Sequence, residues 1–105
     1  MASTPESKVK GKIRKILDEF GVKYIMPTTW GYGRRGPLDF SCSGPPYGRH
    51  LDIEAKSVHT DHPVTALQEE HIAQVKETGA PAVVIDETTL HLLPELLKCM
   101  RLKSW

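Results

Sequence analysis

The sequence predicts an α/β fold, a mixed β-sheet flanked by helices in the order α-β-β-β-α-β-α. Three observations predict it. Val9, Ile13, Ile16, Leu17 and Phe20 recur at helical spacing near the start of the chain. Residues 49–56 alternate strictly, with Leu51, Ile53 and Ala55 on one face and Asp52, Glu54 and Lys56 on the other. A second helical segment beginning at Thr65 then leads into the wholly apolar run Ala82 to Ile85. A strand–helix–strand unit requires a parallel pair, whereas closely spaced strands before it return as a hairpin, so the sheet is mixed. With 105 residues, 39% hydrophobic and 26% charged, the chain is expected to form a single domain over residues 1–105 around one modest core.

The first helix has two possible starts. Ser3 and Glu6 have capping-box spacing, and Thr4 followed by Pro5 is an equally good cap with proline in the first turn. Gly21 is positioned to end it in a left-handed cap, and Val22 to Met26 reads as a short strand. Residues 27–36 are loop. Leu38 to Ser41 reads as the second strand, and Gly44-Pro45-Pro46-Tyr47-Gly48 as the turn that pairs it with the alternating strand. A polar loop from Ser57 to Val64 follows. Thr65 with Gln68 forms a capping box for the second helix, which Gly79 closes. The run Ala82 to Ile85 is short, apolar and β-branched, the pattern of a buried strand. Residues 86–89 turn the chain toward a last helix that starts near Pro94 and runs through Leu102. Leu90, Leu92, Leu93, Leu96, Leu97 and Met100 exceed what one small core needs; they either form a dimer surface or cover one side of the sheet.

No apolar run is long enough to cross a bilayer, and residues 1–15 are polar and basic, unlike a signal peptide. Cys42 and Cys99 match no metal-ligand spacing and are expected to stay reduced. A cytoplasmic, non-secreted protein with no membrane partner is the expectation. Net charge is +1, but its distribution is uneven. Residues 1–50 hold nine Lys/Arg against four Asp/Glu, and residues 51–105 hold five against nine. Such a chain can present a basic face to phosphates while staying near neutral overall. The run from Lys8 to Lys15, Lys12 included, is either that face or the solvated side of a helix.

The chemistry concentrates where two short strands meet. Asp39 belongs to one; Glu54 and Lys56 share a face of the other. Two carboxylates held close repel each other unless a cation lies between them, and a site of hard oxygens without His or Cys suits Mg²⁺ or Mn²⁺. Such an ion acidifies water and neutralises charge on a phosphate under attack, and an adjacent lysine orients the water or stabilises the transition state. Spacing alone also fits an exposed polar face on an edge strand. Trp30, Tyr32, Arg34 and Arg35 combine stacking surfaces with phosphate partners in a glycine-rich loop, as a DNA contact needs; the alternative is a surface loop with Trp30 packed on the core. Asp52 either supports Lys56 or a second metal, or is a solvated acid at the strand end. His59 and His62 lie in a loop; they either touch DNA or are solvated, and too few further ligands accompany them for a zinc site.

Gly36-Pro37-Leu38-Asp39-Phe40 followed by Ile53-Glu54-Ala55-Lys56 resembles the PD-(D/E)xK nuclease pattern. More narrowly, the chain resembles the stand-alone virus-type replication-repair nucleases (VRR-NUC) of phages and bacteria, from about Thr4 to Asp86. Thr4-Pro5-Glu6, Tyr24-Ile25-Met26-Pro27, the Gly31-Tyr32-Gly33 loop, Thr65 with Gln68, and the Gly79 to Asp86 segment carry the likeness in order. One departure stands out: Leu38 intervenes between Pro37 and Asp39, where the family usually has proline directly before the aspartate.

The resemblance implies a restriction-endonuclease-like core and a Mg²⁺- or Mn²⁺-dependent DNA endonuclease. Asp39 and Glu54 would ligate the metal with the carbonyl of Ala55, and Lys56 would act on the water or transition state. Glu6 would complete the metal site or cap its own helix, and Gln68 would face the active site or serve only as a cap partner for Thr65. It also implies a homodimer acting on branched DNA such as four-way Holliday junctions. The alternatives are a flap- or site-specific nuclease outside recombination, or a non-catalytic DNA-binding subunit on a nuclease fold.

Overall fold

A computed structural model describes residues 4–26, 38–60 and 64–104. The first helix, α1, spans Pro5–Glu19. Thr4 is its N-cap and accepts from the backbone N–H of Ser7, with proline in the first turn. The Thr4 start is the one seen, since its hydroxyl reaches the Ser7 N–H; Ser3, the other candidate, lies outside the described residues. Val9, Ile13 and Leu17 recur every four residues and are all buried. Gly21 follows at φ +69°, a conformation that costs a side-chain-bearing residue about 1 kcal/mol or more, and the helix stops there.

The chain then forms β1 (Lys23–Ile25), β2 (Phe40–Gly44) and β3 (Arg49–Ala55), each antiparallel to the one before. The second strand lies slightly later than the sequence suggested. It starts at Phe40, opposite Ile53, and runs to Gly44, opposite Arg49. Asp39 thus immediately precedes the strand. Gly44 packs against Met100, whose terminal methyl lies 2.7 Å from where a Cβ would sit, so a larger residue there would require that methyl to shift.

After β3 the chain forms α2 (Ala66–Glu77) and β4 (Ala82–Ile85). Strand β4 pairs parallel to β3, with Ile53 opposite Val83 and Ala55 opposite Ile85. Gly79, at φ +87°, makes the turn between helix and strand. The sheet order is β1-β2-β3-β4, which makes it mixed as expected. A 3₁₀ turn over Leu90–Leu92 leads into α3 (Leu93–Cys99), shorter than the helix through Leu102 that the sequence suggested. Its end is fixed by Arg49, whose guanidinium donates to the carbonyls of Met100, Leu102 and Lys103. Those carbonyls find their partner in a side chain and not in another helical turn.

Helices α1 and α3 cover the apolar face. Val9, Ile13 and Leu17 meet Phe40, Cys42, Leu51, Ile53 and Ala55 from the sheet and Leu93, Leu97 and Met100 from α3. Most of the surplus leucines therefore cover the sheet, although Leu92 remains 50% exposed. Helix α2 lies on the other face, against Asp52 and Glu54. With both faces covered, β3 is buried from Leu51 to Ala55, polar residues included. Ile53 is fully enclosed, so Ile53→Ala is expected to cost about 2–5 kcal/mol, read as a lowered midpoint in urea unfolding.

Candidate metal centre

The carboxylates converge at the edge where β2 begins and β3 ends. Leu38 is buried and anchors the backbone next to Asp39, which gives the residue between Pro37 and the aspartate a packing role. Asp39 Oδ2 accepts from the backbone N–H of Ala55 at 2.8 Å, while the N–H of Asp39 donates to Glu54 Oε1 at 3.2 Å. This reciprocal pair locks the two acids in register across the strands. Glu6 arrives from the first turn of α1. One carboxylate oxygen from each of Glu6, Asp39 and Glu54 lies within 4.8 Å of the others. Glu6 is one residue too early for a capping box with Thr4, and Ser3, its other candidate cap partner, lies outside the described residues.

Lys56 Nζ stands 3.4 Å from Glu54 Oε2, confirming that alternation brings the lysine to the same face. Gln68 does both things open to it. Its side-chain oxygen accepts from the Thr65 N–H at 3.0 Å, completing the capping box, and its Nε2 donates to Glu54 Oε2 at 2.7 Å. An amide has a donor end and an acceptor end, so one side chain serves both partners. Lys12 is exposed on α1. Trp30, Tyr32, Arg34 and Arg35 lie outside the described residues, as does His62.

The sequence reading missed two features. Lys10 Nζ lies 3.2 Å from Asp39 Oδ1, one helical turn beyond Glu6 on the same flank of α1. Its i+4 relation to Glu6 was the available signal, hidden in a run of basic residues. Asp52 is not solvated: it is 4% exposed and held between His50 and His71. His59 is exposed and stands near Glu87, which also accepts from Ser57 and Val58.

Burial pushes the Glu54 carboxyl up to about 7, and the charge of Asp39 adds to the rise while Lys56 opposes it. In the unfolded chain the same group titrates near the ordinary glutamate value, about 4.3. Between these values the folded state binds the extra proton, so stability falls as pH rises through that window. The whole effect is on the order of 3 kcal/mol. The metal-free protein is therefore expected to melt at higher temperature at pH 5.5 than at pH 8. Glu54→Gln should remove most of that slope; an unchanged slope in that variant would contradict the site's electrostatics. The buried Cys42 thiol is pushed up to about 12 by burial and by Asp52, which rules it out as a nucleophile near neutral pH.

The donor set fits a hard divalent cation. It offers three carboxylates, with oxygens close enough to share one ion, and two of them resist simultaneous ionisation when no cation lies between them. Among the described residues no other group of three or more His, Cys, Asp or Glu side chains comes together in this way. No helix among them is long and apolar enough to cross a membrane.

A solved structure described as a "VRR_NUC domain" matches this chain with a TM-score of 0.71, over 89% of this chain and 97% of that one, at 19% sequence identity. No family model and no curated protein matches. Likeness at that identity speaks for architecture: the mixed sheet, with α1 and α3 on one face and α2 on the other, has the fold of a VRR_NUC domain.

Proposed function

We propose that this chain is a Mg²⁺- or Mn²⁺-dependent DNA endonuclease that hydrolyses phosphodiester bonds at the centre formed by Glu6, Asp39 and Glu54. The convergence of those three carboxylates beside Lys56 carries the reading. Glu6, Asp39 and Glu54 would hold the ion, with the carbonyl of Ala55 as a neutral ligand. When bound, the ion supplies an acidified water and offsets charge that builds on the phosphate. Lys56 orients the attacking water or stabilises the crowded phosphate in the transition state. Gln68 donates to Glu54 Oε2 and would thereby hold this carboxylate in place as a ligand. Lys10 holds its ammonium at Asp39 Oδ1 and would offer a phosphate bound at the centre a second cation beside Lys56.

The likeness to a VRR_NUC domain supports the nuclease reading, and the basic first half of the chain suits a phosphate backbone. In this reading Lys12, Trp30, Tyr32, Arg34 and Arg35 contact the DNA. The substrate is branched DNA such as a four-way junction, cut by a homodimer whose two centres face two strands. A panel of four-way junction, flap, duplex and single-stranded DNAs, with Mg²⁺ and with Mn²⁺, tests this. Paired incisions in the junction with little cutting of duplex are expected. Preference for flaps would move the activity to a different structural class, and no cutting of any DNA with either ion would overturn the enzyme reading.

A further inference from the structure

The polar cluster around Asp52 lies one strand position pair away from Glu54, outside the metal centre. Asp52 and Glu54 point to the same face of β3, and both receive a side chain from α2: Gln68 Nε2 donates to Glu54 Oε2 at 2.7 Å, and His71 Nε2 meets Asp52 Oδ2 at 3.0 Å. A carboxylate oxygen accepts, so the bond forms when the His71 ring presents an N–H at Nε2. His50 Nε2 also lies 2.7 Å from Asp52 Oδ1 as an ion-pair partner, although Oδ1 accepts no well-formed hydrogen bond. Among the described residues, His71 therefore gives this buried carboxylate its one hydrogen bond. Losing it would leave a carboxylate that is 4% exposed with no well-formed hydrogen bond and only the His50 ion-pair contact, which makes the tie costly to break.

Helix α2 needs such a tie because no side chain on it is fully buried. Its apolar side chains Ile72 and Val75 are only half-buried, so apolar interlocking holds its position along the sheet weakly. Gln68 and His71 are about one helical turn apart, and their partners on β3 are two residues apart. A single bond would leave the helix free to pivot; two bonds at matched spacing fix both its slide and its rotation.

We propose that His71, acting through Asp52, is a positioning residue that fixes α2 in the register at which Gln68 holds Glu54. Its bearing on catalysis rests on the nuclease reading above, but its structural part does not. The test begins without metal or DNA, from the side-chain amide signals of Gln68 in a ¹⁵N-correlated NMR spectrum. In the wild type they should show the shift and exchange protection of a carboxylate-bound amide. His71→Leu should move them to the position of a free amide, and His71→Gln, which places a donor near the same point, should restore them. Signals that stay put in His71→Leu, or that His71→Gln fails to restore, would overturn the proposal.

The activity arm asks whether the effect passes through Gln68. His71→Leu should lower kcat on the order of tenfold with KM for DNA unchanged. In a Gln68→Ala background it should lower kcat no further, and additive losses would contradict the proposal. If the wild type cuts no DNA, the nuclease reading falls and the amide signals still decide where His71 acts.

Discussion

Asp39→Asn is expected to lower DNA cleavage by roughly 10³-fold or more while the protein stays folded and keeps its DNA affinity. The substitution is nearly isosteric, and an amide oxygen can still accept from the Ala55 N–H that Asp39 Oδ2 engages. What disappears is one negative charge. Removing it weakens the hold on a divalent ion, and no other carboxylate among the described residues is placed to replace it. The same change relieves Glu54 of a charge that holds its proton on, so the pH dependence of stability should shrink in this variant. Loss of an acid from the centre should leave affinity for polyanionic DNA equal or slightly greater. Gel cleavage assays paired with binding isotherms at one fixed salt concentration separate the two effects. Cutting at the wild-type rate would remove Asp39 from the chemistry.

Lys56→Met should lower kcat roughly 10²–10³-fold even at metal concentrations that saturate the site. Lys56 is 15% exposed at its side chain and contributes no oxygen ligand, so its loss removes a donor to the water or phosphate and not a metal ligand. One indirect consequence has a definite sign. Lys56 opposes the rise of the Glu54 carboxyl, so the methionine variant pushes that carboxyl up further. Metal binding must then displace a more tightly held proton, which weakens it near neutral pH. Raising the pH by about two units should recover metal affinity but not kcat, since the proton competes only for the ligand. Full recovery of kcat at high pH would assign Lys56 to tuning Glu54 alone.

Much of this site was legible in the sequence, for local reasons. Period-two alternation places Glu54 and Lys56 on one face whatever the rest of the chain does, and the hairpin brings Asp39 opposite their end of β3. Thr65 with Gln68 announces a capping box, and the structure retains it. Less visible were the properties that depend on what covers each face. Asp52 looked solvated because strand periodicity says which residues share a face, not whether a helix lies over it. Once α2 does, Asp52 falls to 4% exposure and needs its histidines. Lys10 was hidden for a similar reason: a basic run reads as solvent-facing until the flank beside Glu6 meets Asp39. The end of α3 was misplaced because leucine periodicity continues through Leu102, whereas the Arg49 guanidinium, far away in sequence, claims the carbonyls there.

The most direct measurement is anomalous diffraction from crystals of the wild type soaked in Mn²⁺, because manganese marks its own position. A single strong peak within ligand distance, about 2.0–2.6 Å, of oxygens from Glu6, Asp39 and Glu54 is the expected result. Manganese bound only elsewhere, for instance beside Asp52, or a carboxylate trio still empty at saturating Mn²⁺ above pH 7, would contradict it.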